Sequence, residues 1–198
     1  MKIKHARVWL ETIKLKTPYA ITHYQFDHVD LVMLELELEN GIIGIGSSSP
    51  AEEVVHETAG EVVNKLKELL PENIVGKEIE SYTNIIEAQL SARPFSPGVC
   101  AALDIALHDC YGKYIGKSVA DYYGRSIQSL PTSVTIGICD IDETIRLARE
   151  YRSMGFSVFK LKTGEDIDQD IEKIIKLKEI FGDAITIRLD ANQGYNLK

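Results

Sequence analysis

The sequence has little of what marks a secreted protein. Cys100, Cys110 and Cys139 are the only cysteines in 198 residues, an odd number without the spacing of a disulfide framework. Residues 1–16 alternate and carry several charges, unlike a secretory signal. We therefore expect buried free thiols in a reducing compartment, with the cytoplasm as the default location.

Long apolar runs and an excess of basic residues are also missing. No stretch approaches the ~20 apolar residues that a bilayer-spanning helix needs, so no membrane partner is expected. Lysine and arginine number 22 against 30 aspartates and glutamates, which gives a formal charge of -8. Because phosphate binding needs clustered basic residues, a nucleic-acid partner is not expected either.

What the sequence does contain supports a folded core, since 44% of the residues are hydrophobic. The first part begins with strand patterns. Lys2–Leu10 has β character, and Asp30–Glu39 alternates leucine with glutamate from Leu34 onward. Asn40-Gly41 is a strong hairpin signal before a returning strand, IIGIG. Gly44 and Gly46 imitate a phosphate-binding loop, but no helix follows them directly, so nucleotide binding is not expected.

Helical patterns follow the hairpin. Apolar residues from Val54 to Leu70 predict a helix that ends at Pro71, and Ser81–Leu90 predicts a second. Ser96 as N-cap and Pro97 in the first turn open a third. Strands followed by helices indicate an α+β unit over residues 1–128.

From residue 129 onward, strands alternate with helices. The predicted strands are Thr132–Ile138, Phe156–Lys162 and Ala184–Asp190, and the predicted helices are Ile141–Met154 and Asp166–Phe181. This order predicts a parallel sheet with right-handed crossovers. Each strand has one apolar and one polar face. We expect the apolar rows, which include Ile185, Ile187 and Leu189, to pack under helices. The polar rows should converge inside a barrel, near the carboxyl ends of its strands.

Lys160 and Lys162 are two residues apart on one strand, so their side chains lie on the same face. Their mutual repulsion lowers the cost of removing a proton from one of them. Asp190, one βαβ unit later, offers a metal ligand at the same edge of the sheet. Together they suggest proton abstraction next to a carboxylate. From these residues alone, a solvated strand end with surface lysines is a slightly better interpretation.

Five segments carry a resemblance to a known family. They are Lys160–Lys162 (KLK), Leu189–Asn192 (LDAN), Ala101–Asp109 (AALDIALHD), Ser133–Ile138 (SVTIGI) and Ser47–Thr58. They resemble the enolase superfamily, in its muconate-lactonizing-enzyme subgroup and closest to the dipeptide epimerases. The resemblance implies an α+β capping domain at residues 1–128 and the first part of a (β/α)-barrel at residues 129–198.

The resemblance also implies an isomerase chemistry. Lys162 would be the base, and Lys160 would assist it and help to neutralise the substrate carboxylate. Asp190 would be the first ligand of Mg²⁺, with Mn²⁺ as an alternative. Two further acidic ligands and a second acid/base lysine on the opposite face belong to later strands, which this sequence does not include. A helix-capping role for Asp190 is the competing interpretation.

Four residues are candidate substrate contacts. Thr135 could donate to a substrate oxygen, although a strand threonine is more often only packed. Asn192 could bond beside the metal or simply shape its turn. His23 and Tyr24 lie in the predicted loop between the first two strands, which the resemblance makes a specificity loop; a surface loop is the alternative. Tyr24 stands where epimerases of Ala-Glu dipeptides often have arginine, which favours a neutral or hydrophobic substrate.

The sequence therefore predicts a Mg²⁺-dependent dipeptide epimerase that acts on a small molecule through an enediolate. A muconate-type cycloisomerase and an o-succinylbenzoate-synthase-like dehydratase share that step and remain alternatives. The family also allows a homo-oligomer. Three strands cannot close an eight-stranded barrel. The 198 residues are thus expected to be the front portion of a larger enzyme, inactive alone, or else a non-catalytic fragment.

Overall fold

The computed structural model describes residues 1–21, 24–92 and 95–196. The chain divides into two compact units. One consists of Met1–Lys14 and His28–Ser126, and the other of Leu15–Asp27 and Ile127–Lys198. Within the described residues, none of the helices combines the length and apolar character needed to cross a bilayer.

A three-stranded sheet has the order β1 (Ile3–Ile21), β2 (Tyr24–Leu38) and β3 (Ile43–Ser48). Most of it belongs to the first unit, whereas the end of β1 and the start of β2 fall within Leu15–Asp27 of the second. β2 and β3 pair antiparallel, and Gly41 takes a φ of 84° in the turn between them. The hairpin prediction at Asn40-Gly41 is therefore confirmed.

The predicted loop between the first two strands is wrong for most of its length. β1 continues to Ile21 and β2 begins at Tyr24, so the strands are far longer than the predicted Lys2–Leu10 and Asp30–Glu39. The β-branched residues Thr12 and Ile13 favour extended backbone. β1 and β2 are hydrogen-bonded neighbours in the sheet, and such pairing satisfies backbone N–H and C=O groups.

Five helices belong to the first unit: α1 (Glu52–Val55), α2 (Ala59–Asn73), α3 (Tyr82–Ser91), α4 (Pro97–Tyr114) and α5 (Val119–Tyr122). The single predicted helix from Val54 to Pro71 is wrong in two ways. His56 adopts the left-handed conformation, with φ 56°, and ends α1. Thr58 then starts α2 with a capping box, and Pro71 lies inside α2, whose last turn closes through an Ile74 N–H bond to the Leu70 carbonyl.

The start of α4 is capped differently from the prediction. Ser96 is the N-cap residue, as predicted, but its side chain makes no capping bond to the helix. Its hydroxyl donates to the carboxylate of Glu57 instead. That carboxylate, on a residue only 5% exposed, accepts the Gly98 N–H at 3.0 Å and so caps the helix from a distant part of the chain.

α4 packs directly on β3 because two glycines leave room for it. A Cβ atom at Gly46 would lie 2.1 Å from the Ala102 carbonyl oxygen, and one at Gly44 would lie 2.4 Å from the Cβ of Cys110. Gly44 and Gly46 therefore serve helix–strand packing. The leucines of the alternating β2 pattern, Leu34, Leu36 and Leu38, are fully buried in the same core.

The second unit contains β4 (Ser133–Ile136), α6 (Ile141–Ser153), β5 (Val158–Lys162), α7 (Ile167–Phe181) and β6 (Thr186–Asp190). The three strands are parallel, in the order β4-β5-β6. The predicted alternation of strands and helices is confirmed, with strands two or three residues shorter than expected.

The apolar rows of this sheet pack with α6 and α7, as predicted, except at the far edge. Ile136, Phe159 and Leu161 are fully buried with Ala148 and Leu177 of the two helices. The expectation for Leu189 is wrong, because this residue is 57% exposed. β6 is at the edge of the described sheet, where an outward side chain has neighbours on one flank only.

Candidate functional site

Polar side chains from two neighbouring strands meet at the carboxyl ends of β5 and β6. The parallel register pairs Lys162 with Asp190 and Lys160 with Arg188. Thr135 of β4 is in register with Lys160 on the other side. Since side chains in register on parallel strands share a face, one face of the sheet carries all five residues. The structure thus brings together the two lysines and the aspartate that the sequence singles out.

Both lysines bind the same carboxylate oxygen. The Nζ of Lys160 lies 2.7 Å from Oδ2 of Asp190, and the Nζ of Lys162 lies 2.9 Å from it. These hydrogen bonds, from Lys160 first and then from Lys162, hold the pKa of Asp190 well below its usual range, and the Asn192 N–H adds to the effect. Asp190 is therefore an ionised carboxylate at neutral pH.

The two lysines differ in exposure. The side chain of Lys162 is 7% exposed, whereas that of Lys160 is 39% exposed. A buried ammonium must be paired, because burial without a partner is costly. Lys162 meets this need with Asp190 and with Oδ1 of Asn192 at 2.5 Å. Its amine is therefore held at a fixed point, partly shielded from water.

Asn192 owes its place to an unusual turn. It follows β6 with a φ of 45°, and Gln193 follows with a φ of 62°, so two successive residues without glycine's freedom lie in the left-handed region. The Asn192 N–H donates to Oδ1 of Asp190 at 3.1 Å. The turn thus aims both the side-chain oxygen of Asn192 and the carboxylate of Asp190 at Lys162.

The remaining predicted contacts stay predictions. Thr135 is half-buried and shares the face of the lysines. His23 lies outside the described residues. Tyr24 is the first residue of β2 rather than part of a loop. The idea that Lys160 eases proton loss from Lys162 also stays a prediction.

The sequence interpretation missed two buried charged residues of α7, Asp170 and Lys173. Asp170 on α7 is 4% exposed, and its carboxylate accepts a hydrogen bond from the Tyr195 hydroxyl at 2.7 Å. Burial, together with this bond, raises the pKa of Tyr195. The apolar face of α7 could have revealed them, because Asp170 and Lys173 stand seven and four residues before buried Leu177, on the side that turns inward.

The donor set fits part of a magnesium site. Asp190 and Asn192 offer the carboxylate and amide oxygens that Mg²⁺ accepts. Asp190 is paired with the ammonium groups of Lys160 and Lys162, and Asn192 with that of Lys162. The position therefore already binds positive charge. The described ranges contain no group of three or more His, Cys, Asp or Glu side chains that could hold a metal ion. Among the described residues, this position therefore offers a single carboxylate, that of Asp190, to a metal ion.

Family models match both units. Residues 3–124 match the model described as mandelate racemase / muconate lactonizing enzyme, N-terminal domain. Residues 143–198 match the one described as enolase C-terminal domain-like.

Similar proteins include an L-Lys-D/L-Arg epimerase of Desulforapulum autotrophicum, 42% identical over all 198 residues of this chain and 56% of its own length. A dipeptide epimerase of Methylococcus capsulatus, solved with Mg and the dipeptide L-Arg-D-Lys, superposes with a TM-score of 0.94 at 34% identity, over 99% of this chain and 55% of its own. One of Enterococcus faecalis, solved with Mg and L-Leu-L-Tyr, gives 0.92 at 30% identity, over 98% and 55%.

The chain spans about half the length of the curated relatives it matches. The family models match most of both units, and Lys162 and Asp190 lie where two parallel strands of the second unit end. The chain therefore belongs to the mandelate racemase / muconate lactonizing enzyme family of the enolase superfamily, with the α+β capping domain and the first strands of the barrel domain.

Proposed function

We propose that the complete protein is a Mg²⁺-dependent isomerase that epimerises dipeptides. The observation that carries the proposal is the buried amine of Lys162, held between Asp190 and Asn192 at the carboxyl ends of two parallel strands. The similarity of the whole chain to dipeptide epimerases supports it. Residues 1–128 would then act as the capping domain, and residues 129–198 as the start of the catalytic barrel.

Lys162 is the proposed base. Its amine would take the α-proton of a residue whose carboxyl group is held nearby, and a lysine from the opposite face would return a proton. Because Lys162 is almost fully buried, little water competes for its proton. Asp190 and Asn192 hold its amine in one position, so the amine is pre-organised for the reactive geometry. Lys160, on the same face and more exposed, would help to neutralise the substrate carboxylate.

Magnesium would be held by Asp190, with Asn192 beside it. The bound ion would supply the positive charge that stabilises the enediolate, as it does generally in this superfamily. Mn²⁺, which prefers the same oxygen ligands, is an alternative. Thr135, His23 and Tyr24 are the proposed substrate contacts.

A dipeptide with basic side chains is the proposed substrate. The relatives at 42% and 34% identity are named L-Lys-D/L-Arg epimerases, whereas the one named hydrophobic dipeptide epimerase is 30% identical. These names favour a basic dipeptide over the neutral or hydrophobic one that Tyr24 suggests. The cycloisomerase and dehydratase alternatives share the enediolate step, but no contact among the described residues favours them.

A cytoplasmic location is part of the proposal. Cys100, Cys110 and Cys139 are free thiols, with Cys110 buried and the other two half-buried rather than fully buried as expected. Free thiols are typical of a reducing compartment. We also propose a homo-oligomer, on the strength of the family resemblance alone.

The test is deuterium uptake from solvent by the complete protein with Mg²⁺. L-Arg-L-Lys, L-Leu-L-Tyr and L-Ala-L-Glu would be incubated in D₂O and followed by mass shift. The proposal predicts a gain of one deuterium and the largest kcat/KM for L-Arg-L-Lys, by roughly 10-fold or more. Uptake by none of these dipeptides would contradict the epimerase. A preference for L-Leu-L-Tyr would contradict the basic substrate only.

A further inference from the structure

One buried carboxylate ties together the two loops that carry the site. Asp170 lies near the start of α7, and its side chain is 6% exposed. Its Oδ2 accepts the Gly164 N–H at 2.9 Å, in the loop after β5. The same oxygen accepts the hydroxyl of Tyr195 at 2.7 Å, in the loop after β6. Lys173, 5% exposed, places its Nζ 3.4 Å from Oδ1 and balances the buried charge.

The two loops also touch through backbone. A Cβ atom at Gly194 would lie 2.3 Å from the Gly164 carbonyl oxygen, so only glycine fits there. The Thr163 N–H donates to the Asp190 carbonyl at 3.1 Å. Gly164 comes two residues after Lys162, and Gly194 comes two residues after Asn192. The spacing between the loops therefore sets the spacing between these two side chains.

The loop after β6 needs such support because its backbone is strained. Asn192 and Gln193 both have positive φ, a conformation that persists only when the surroundings impose it. Inside the loop, the Gly194 N–H donates to the Ala191 carbonyl at 2.7 Å. Beyond it, the Tyr195 hydroxyl fixes the far end of the turn to α7. Without that bond, the turn can relax and withdraw the oxygen of Asn192 from Lys162.

We propose that Asp170 and Tyr195 are positioning residues for the α-proton transfer. Their hydrogen bond fixes the loop after β6 so that Asn192 and Asp190 hold the amine of Lys162 at its working point. Neither residue belongs to the set proposed to contact the substrate. The inference rests on the proposed function for its catalytic consequence, and on the contacts above for its structural part.

The first experiment measures rates in the complete protein. Tyr195→Phe removes one hydroxyl and keeps the ring. Because a misplacement of about 1 Å costs about 100-fold in rate, kcat for deuterium uptake should fall roughly 10- to 100-fold, with KM changed less than about 3-fold. The matched control is Tyr123→Phe, since the Tyr123 hydroxyl also bonds a side chain at 2.7 Å, Nε2 of His108, in the other unit. This control should leave kcat unchanged.

A second pair of variants tests Asp170, the hydrogen-bond partner of Tyr195. Asp170→Asn keeps an acceptor oxygen for Tyr195 and Gly164, so it should retain most of the rate that Asp170→Ala loses. Tyr195→Phe should add little to the loss in an Asp170→Ala background, because the shared bond is already gone. Independent, multiplicative losses would overturn the proposal, as would an unchanged kcat in Tyr195→Phe.

The third measurement does not depend on activity. Hydrogen–deuterium exchange of backbone amides in residues 191–196 should be roughly 10-fold faster in Tyr195→Phe than in the wild type and unchanged in Tyr123→Phe. Equal exchange in all three proteins would overturn the proposed tether even if the enzyme is an epimerase. If the wild type takes up no substrate deuterium, the proposed function fails, and the amide exchange still decides whether the tether exists.

Discussion

At the scale of single residues, the site depends on how Asp190 compensates two positive charges. Its Oδ2 receives both Lys160 and Lys162, and these bonds lower the pKa of Asp190. The folded state therefore holds the charged carboxylate more strongly than the unfolded chain does. Such a group contributes stability above its unfolded pKa, about 4, and the contribution is lost as the pH falls toward the depressed folded pKa.

Asp190→Asn tests this compensation. In metal-free buffer at pH 7, the substitution should lower the free energy of unfolding by about 2 kcal/mol, because the buried ammonium of Lys162 loses its counter-charge. The difference from the wild type should shrink as the pH falls below about 4, where the wild-type carboxylate is progressively protonated. Urea unfolding of the wild type and of Asp190→Asn, at a series of pH values from 7 to 3, measures this difference.

The control is Asp183→Asn, which changes an exposed carboxylate in the same unit. It should shift the unfolding free energy little at any of these pH values. A stability gap for Asp190→Asn that stays constant or widens in acid would contradict the proposed pairing.

Sequence reasoning reached some of these residues and not others. Strict alternation in β5 places Lys160 and Lys162 on one face, and parallel strands bring Asp190 beside them. The strand pattern was therefore enough to predict that these three side chains meet. Tyr195 lies beyond the last predicted strand, in a turn with two left-handed residues, and no periodic pattern reports where such a turn points. Asp170 interrupts the apolar face of α7. This signal is present in the sequence, but it does not specify what the residue does.

At the scale of elements, the close approach of α4 to β3 dominates the first unit. Gly46 lies so near the Ala102 carbonyl that no side chain fits between them. The buried leucines of β2 complete the same core. This packing explains why GIIGIG, which imitates a nucleotide-binding loop in sequence, contains glycine for steric reasons.

Gly46→Ala should therefore be strongly destabilising, because its methyl group would force α4 away from β3. We expect a loss of about 3 kcal/mol in the free energy of unfolding, at the upper end for overpacked cores. Chemical denaturation of the purified protein measures it. Gly60→Ala is the matched control: no atom lies within 4 Å of its added Cβ, and alanine in α2 should stabilise by about 0.5–1 kcal/mol. Equal effects of the two substitutions would contradict the packing argument.

Element boundaries show where local patterns stop being informative. Pro71 predicted a helix end, yet α2 continues past it because only one backbone bond is lost so near the end of the helix. The predicted first strands are too short, since the alternating apolar pattern ends before the observed strands do, whereas β1 and β2 are paired neighbours in the sheet. Tertiary support decides in both places, and a sequence window does not contain it.

At the scale of the whole molecule, the candidate site is argued from a chain that matches only part of its relatives. The chain spans about half the length of its curated relatives, and its described residues bring one carboxylate to the candidate metal position. The fold class was predictable from the sequence, and so was the meeting of Lys160, Lys162 and Asp190. The substrate was not, because Thr135, His23 and Tyr24 are no more than candidate contacts and Tyr24 suggests a different substrate from the names of the relatives.

The affinity for Mg²⁺ should differ between the 198-residue chain and the complete protein. Mg²⁺ has a high dehydration cost and needs several oxygen ligands, so the 198-residue chain should bind it with a Kd weaker than about 1 mM. The complete protein should bind it much more tightly. Isothermal titration calorimetry of both proteins makes the comparison, with Asp190→Asn as the control that removes the carboxylate. Tight binding by the 198-residue chain would show that the ligand set is different.

The most direct test of the central claim is the deuterium uptake of Lys162→Met in the complete protein. Methionine keeps the volume of the buried stem and removes the amine. Exchange from the substrate epimer whose α-hydrogen faces Lys162 should fall by roughly 10²- to 10⁴-fold, while Lys176→Met, which alters an exposed lysine of α7, should exchange normally. Wild-type exchange of both epimers in Lys162→Met would contradict the role of Lys162 as the base.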